Sequence, residues 1–483
     1  MLRHQASRYR FLNYVALFLC AVLLASCAKV GPNYKQPAFA QEVQLSVADG
    51  EFTGLVPQQT DIQYWWRIFN DPTLNLLINE AISNNIDIKV ALSSIYESRA
   101  QYGVTRSRLL PAIDGAASVA RGRQSDAGTG IDRSSFTHYA VGVDASWEID
   151  LWGKIRRSIE ASEAEYQATE EQLNDLLISV CADVARRYFM IRTLQSQVAI
   201  TVKNIDSQKI ILKMVQDRRA AGISSGLEEN QSMQVYSTTQ TYLPSLRTEL
   251  SNNINRLSFL LGQPTGYVND LLTPLADVPL PPEDVAIDIP ADRLRLRPDV
   301  RQAERLLIAQ TARVGVATAE LYPTLSLFGS LGTGALSIGD LFSSGSSQFS
   351  LGPSVKMNLF NRNDLRQQII VEDERAKQAL YHYEMTVLLA VEEIENALVA
   401  YHEQQIQLRS LNNAQIAAQL VMDKSQDLYR SGLIDFQVVL DAQRTLLEME
   451  NNYEAGRGNT SIYLVDLYRA LAGGWENSRD LVN

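Results

Sequence analysis

The stretch Tyr139-Ala140-Val141-Gly142-Val143-Asp144-Ala145-Ser146-Trp147-Glu148-Ile149 decides how this chain folds. Side chains alternate along a strand, so Tyr139, Val141, Val143, Ala145, Trp147 and Ile149 share one face. Ala140, Gly142, Asp144, Ser146 and Glu148 share the other. A second run repeats the pattern: Leu351, Val355, Met357 and Leu359 alternate with Ser350, Gly352, Ser354, Lys356 and Asn358. Weaker strand patterns lie at 113–121 and 324–332, with loops rich in Gly and Ser at 122–135 and 334–347. Each strong run is about 10–12 residues, the length of a tilted transmembrane strand. A soluble sheet with one wet face is the alternative, but two hairpins so far apart in sequence make a poor isolated sheet.

The strands belong to a repeated unit. Ala100-Gln101-Tyr102-Gly103-Val104 returns as Ala312-Arg313-Val314-Gly315-Val316, and Leu110-Pro111 as Tyr322-Pro323. Ala221-Gly222-Ile223 matches Ser431-Gly432-Leu433, and Leu260-Leu261-Gly262 matches Leu471-Ala472-Gly473. A near-constant spacing over four landmarks marks an internal duplication. The expected organisation is a first repeat at 61–265, a linker at 266–290 and a second repeat at 291–475, with a tail at 476–483. The linker carries Pro274, Pro279, Pro281, Pro282 and Pro290.

Each repeat reads as a helix, two strands and two very long helices. The first helices are expected at 74–108 and 298–320, each ending ahead of a proline, Pro111 or Pro323. The long ones are expected at 155–221 and 364–430, returning at 226–261 and 436–471. Leu173, Leu176, Leu177, Val180, Cys181, Val184, Tyr188 and Ile191 step by three and four, a seam of the coiled-coil kind. Pro244 is expected to kink the first return helix.

Composition narrows the function. The chain of 483 residues is 46% hydrophobic, 20% charged and 8% aromatic, ordinary for a folded protein. Its net charge of −11 argues against a nucleic-acid surface. Three cysteines exclude a disulfide scaffold, and four histidines leave little for a metal site. No cofactor motif is present. The N-terminus is an address: Arg3, Arg8 and Arg10 precede an apolar stretch that ends at Leu24-Ala25-Ser26-Cys27. This reads as a lipoprotein signal peptide at 1–26, cleaved before Cys27, whose acylation starts a lipidated segment at 27–60. Ala28 in place of Asp fits sorting to the outer membrane. Without residues 1–26, 41 basic residues face 55 acidic ones. Cys181 then remains the only free thiol and reads as a core residue.

Geometry converts these elements into a function. Lipid tolerates no open sheet edge, and four strands are too few for a barrel, whose smallest known form has eight. The chain must therefore share a barrel with other copies. Its helices are too polar for lipid and too long for a compact domain, which fits a hollow periplasmic tube. A pore joined to a tunnel is a conduit.

The motifs then carry a resemblance. They are Cys27 followed by Val30-Gly31-Pro32-Asn33-Tyr34-Lys35-Gln36-Pro37; Trp65-Trp66-Arg67-Ile68-Phe69-Asn70-Asp71-Pro72; Trp147-Glu148-Ile149-Asp150-Leu151-Trp152-Gly153; Arg297-Pro298-Asp299-Val300-Arg301; and Leu440-Asp441-Ala442-Gln443-Arg444. Together the sequence resembles the TolC-like outer-membrane factors, in the OprM-like (NodT-type) lipoprotein efflux branch. The resemblance implies an α+β membrane protein: a homotrimer with a twelve-stranded β-barrel and a periplasmic α-barrel. It implies the passive exit duct of a tripartite efflux pump for drugs or other small toxic molecules, not an enzyme. A periplasmic adaptor and an inner-membrane transporter, of RND type, would be its partners, in the outer membrane of a Gram-negative bacterium. It also implies a periplasmic gate in which Asp441 contributes to an acidic ring and Arg444 ties it to a neighbour. Gln437, one turn earlier, would face the aperture.

Other readings stay open. The same duct could serve a type I protein secretion system, or the long helices could belong to a non-conducting lipoprotein bridging membrane and cell wall. Gly222-Ile223-Ser224-Ser225-Gly226 fits a hydrolase G-x-S-x-G pattern, but at a helix–helix turn rather than a strand–helix elbow. Asp71-Pro72 is expected to start a helix. No P-loop is present, so transport energy must come from a partner.

Overall fold

The computed structural model describes residues 29–37, 55–57, 62–123, 135–282, 285–287 and 293–473. The signal segment, Cys27, most of the lipidated segment, much of the first Gly/Ser loop and the tail from 474 lie outside the described residues.

Strand β1 (Leu55–Pro57) and a 3-10 turn (Trp65–Phe69) lead into α1 (Pro72–Asn84), α2 (Ile86–Ser107), β2 (Ala112–Arg123) and β3 (Ser135–Ile149). The long helices α3 (Lys154–Ala220) and α4 (Gly226–Leu260) follow, then short α5 (Asn269–Leu272), β4 (Val285–Ile287) and α6 (Arg293–Leu296). The order then recurs as α7 (Pro298–Ala319), β5 (Thr324–Ala335), β6 (Ser347–Lys356), α8 (Arg362–Arg430) and α9 (Phe436–Ala470). Helices α3 and α8 have 67 and 69 residues, about 100 Å each. The chain divides into two compact units, each drawing on both halves of the sequence.

One unit holds Ser94–Thr169 and Gln302–Tyr383 with the N-terminal stretch as far as Pro37. Its centre is an antiparallel sheet in the order β2-β3-β5-β6. The join between hairpins is β3 on β5, running from Tyr139↔Ala335 to Ile149↔Leu325. Residues paired across antiparallel strands share a face, so the register sorts the sheet into two surfaces. Ile113, Val119, Val141, Val143, Trp147, Leu325, Leu327, Leu331, Phe349, Leu351 and Val355 fall on one surface. Asp114, Ser118, Asp144, Ser146, Glu148, Ser326, Ser330, Gln348, Ser350, Ser354 and Lys356 fall on the other, where Ser330 and Ser350 hydroxyls bond at 2.8 Å. Phe328 is an apolar exception on the polar surface; it lies over Gly352. Strand β6 ends at Lys356, so Met357 and Leu359 follow the strand rather than extend it.

The expected first helix at 74–108 is two helices. Asn85, 2% exposed, gives its amide to the Leu260 carbonyl at 2.8 Å and accepts from the Ile88 amide at 3.1 Å. It thereby caps a new helix, at a position helical periodicity cannot reveal. Asp71 caps α1, accepting from Thr73 and Leu74 amides at 2.7 and 3.1 Å.

The other unit holds Ala38–Ser93, Glu170–Arg301 and Glu384–Asn483. Here α3 turns into α4 and α8 into α9 through the same cap. Gly222 and Gly432 sit at φ +75° and +73°. Their amides bond back to Arg219 and Tyr429 carbonyls, while Ile223 and Leu433 reach Arg218 and Leu428, the Schellman pattern. The pattern recurs at the end of each return helix, with Gly262 and Ala472 in the left-handed position. Thus Gly262 corresponds to Ala472 rather than to Gly473. Helix α4 continues through Pro244. Ile211, Val215, Val235, Ala418, Met422, Phe436, Val439, Leu440 and Leu446 form one buried cluster between the two hairpins.

Candidate functional site: the turn end of the helical hairpins

Leu440 and Ala442 face the cluster, which turns Asp441 and Arg444 outward. Arg444 lies 3.4 Å from Asp441, and Gln437 donates to the same carboxylate oxygen at 3.0 Å. Gln231 of α4 donates to Gln437 at 3.3 Å. The three residues singled out from sequence therefore form one network, reached from the other hairpin by Gln231. Within one chain the Asp441–Arg444 pair is exposed, 59% and 52% at the side chains, so it adds little stability. Its capacity lies in what it can meet outside the chain.

A second link between the hairpins is partly buried. Tyr429 of α8, 5% exposed, donates its hydroxyl to Glu228 of α4 at 2.9 Å. Ser224 also donates to that carboxylate, and the Arg218 guanidinium lies 5.0 Å from the Tyr429 ring centre. Burial first, and then the Glu228 acceptor, push the Tyr429 phenol above its ordinary range. Arg219 pairs with Glu229, whose carboxyl is held below the usual range by that guanidinium. Sequence reasoning missed Tyr429 and Glu228. A signal existed in the unequal turns, Leu227-Glu228-Glu229 against Gln437-Val438-Val439 at the repeat offset.

The remaining motifs are structural in this fold. Asp150 caps α3, accepting from Ile155 and Arg156 amides at 3.1 and 3.0 Å. Arg297, 7% exposed, binds Asp299, Glu393 and the Ala470 carbonyl at 2.8, 2.6 and 2.6 Å. Trp65 stacks on Tyr468 with ring centres 5.6 Å apart. Ser225 caps α4, accepting from the Glu228 amide at 3.3 Å, so the G-x-S-x-G serines serve the turn. Cys181 is fully buried, and burial pushes its thiol up to about 12. Among the described residues no helix is long and apolar enough to cross a membrane, and no group of His, Cys, Asp or Glu is arranged to hold a metal.

A four-stranded antiparallel sheet apolar on one surface and polar on the other, in a chain whose two longest helices run about 100 Å each, fits a class: channel proteins that cross a membrane by β-strands. A family model described as outer membrane efflux protein matches residues 77–263 and 289–473. The chain belongs to that family, and it is an outer-membrane efflux protein. It is 30% identical over 476 residues to the solvent efflux pump outer membrane protein SrpC of Pseudomonas putida, covering 97% of this chain and 100% of that one. It is 27% identical over 461 residues to the cation efflux system protein CusC of Escherichia coli O6:H1, covering 95% and 98%. Among solved structures, the outer-membrane channel OprN superposes with a TM-score of 0.87 at 32% identity, covering 93% of this chain and 100% of that one.

Proposed function

We propose that three copies of this chain close one twelve-stranded barrel and act as the passive exit duct of a tripartite efflux pump. The observation that carries the reading is the sorted sheet with two open edges. Among the described residues, strands β2 and β6 pair on one side only, and their opposite directions let β6 of one copy continue antiparallel onto β2 of the next. On the apolar surface Phe349, Leu351, Val355, Leu331 and Ile113 are 67–83% exposed in the single chain, which suits contact with lipid. The opposite surface would line a wet lumen. An acylated Cys27 would add an anchor, and a periplasmic adaptor and an RND-type inner-membrane transporter would supply docking and energy. Small toxic molecules, drugs or solvents among them, are the expected cargo, in keeping with the efflux relatives.

Threefold assembly would also bring three copies of Asp441 together at the hairpin turns. Like charges in proximity need counter-charges, which Arg444 of a neighbour would supply while Gln437 narrows the aperture. In planar bilayers, purified trimer carrying Asp441→Ala and Arg444→Ala is expected to conduct severalfold more than wild type. Unchanged leak would remove the gate assignment; no channel in either protein would remove the duct.

A further inference from the structure

The residues just after Cys27 are built into the fold with more care than an anchor's tether needs. Arg157, in the first turn of α3, is 1% exposed. Its guanidinium donates to the Val30 carbonyl at 3.2 Å, the Gly31 carbonyl at 3.4 Å and the Asn33 side-chain oxygen at 2.7 Å. Its charge is met by Glu160 at 2.9 Å, and Glu160 also takes Lys29 at 3.2 Å. A buried guanidinium is stable only with its donors occupied, so three of these contacts tie Arg157 and residues 30–33 to each other. Farther along, Tyr34 donates to Glu304 at 2.7 Å and Gln36 donates to the same oxygen at 3.3 Å.

Space has been cleared for this strap. A Cβ on Gly31 (φ +83°) would come 2.5 Å from the Gly315 Cα, and one on Gly315 would come 2.8 Å from Arg157 Nε. A Cβ on Gly153 (φ +81°) would come 3.0 Å from the Lys29 Cα. The backbone approach at Gly31 and the positive φ of Gly31 and Gly153 favour glycine over any side chain.

The strap is seated at one particular level of the sheet. The Val30 amide donates to the Trp152 carbonyl at 3.1 Å, three residues after β3 ends. Trp152 stacks on Tyr322 at 4.7 Å and donates to the Pro323 carbonyl, immediately before β5. Trp147 donates to the Leu109 carbonyl at the same end of β3. Amphipathic aromatics gathered at the strand ends are the mark of a membrane–water interface. Val30 and Cys27 are three Cα steps apart, so covalent geometry keeps them within about 11 Å.

We propose that residues 29–37 are a docking strap that delivers the acylated chain end to the inner interface of the barrel, and that Arg157 is its positioning residue. The partner surface is the periplasmic leaflet of the outer membrane. The strap fixes the anchor in register with the strands, so that acyl chains and sheet enter the same leaflet together. This rests on the reading of Cys27 as lipidated.

The test uses the full-length lipoprotein with Arg157→Met, which keeps bulk and removes every donor, and separately Asn33→Ala, which leaves Arg157 and Glu160 in place. Strap docking is read by trypsin cleavage after Lys35 in the purified protein, lipidation by palmitate labelling, and delivery by the amount of assembled channel in the outer membrane. Arg157→Met is expected to keep wild-type labelling, to be cleaved at least tenfold faster and to yield severalfold less assembled channel; Asn33→Ala should fall between. Cleavage within twofold of wild type in both variants would overturn the strap. Faster cleavage with undiminished assembled channel would overturn its role in delivery. Should Arg157→Met fail to fold, Asn33→Ala alone decides on the same two readouts. Absence of palmitate in the wild type would instead overturn the lipidation reading, and the cleavage comparison would still judge the strap.

Discussion

Ala472 shows how the duplication is held at the level of one residue. Its counterpart Gly262 takes the left-handed cap position without strain, whereas Ala472 holds φ +58° with a Cβ in place. A non-glycine residue in this region costs about 1–2 kcal/mol. Ala472→Gly is therefore expected to stabilise the protein by about 1 kcal/mol, offset in part by the freer unfolded chain, as measured by denaturant unfolding in detergent. The paired caps at Gly222 and Gly432 were legible as the Ala-Gly-Ile and Ser-Gly-Leu match. The one-residue slip in the second match was not, because Gly473 stands beside Ala472 and sequence alone prefers to align glycine with glycine.

At the scale of elements, the two hairpins are joined by unlike bonds. The exposed Gln231–Gln437–Asp441–Arg444 network competes with water, while the Tyr429–Glu228 bond is partly shielded and ends on a carboxylate. A hydrogen bond to a charged group contributes about 1.5–3 kcal/mol, enough to shift a two-state equilibrium roughly tenfold or more. Tyr429→Phe keeps the ring against Phe436 and removes only the hydroxyl. In planar bilayers it is expected to raise open probability about tenfold with helix content unchanged by circular dichroism; wild-type gating would show that the bond plays no part in closure. Seam periodicity made the long helices legible to within two residues at either end. The Tyr429–Glu228 bond was not legible, because it joins residues 201 apart whose types recur throughout the helices.

Over the whole molecule, the sorted sheet makes a directional demand on substitutions. Leu331 and Ser330 are neighbours in β5 and lie on opposite surfaces. Leu331→Lys is expected to destabilise the assembled barrel by about 2–4 kcal/mol if it lies near mid-bilayer, and Ser330→Lys by far less, as measured by refolding into lipid vesicles. Equal cost at both positions would contradict a lipid-facing apolar surface. The sequence by itself determined the alternating strands, the long helices and the repeated turns, because each follows from local periodicity or local backbone chemistry, whereas Asp441 and Arg444 were singled out only by resemblance to a family. Only the tertiary structure decided that β3 lies against β5, that Asn85 breaks the first helix, that Tyr429 reaches Glu228 and that Arg157 is buried under residues 30–33. Those choices rest on pairings between distant segments, where many partners are chemically equivalent and only packing and register select among them.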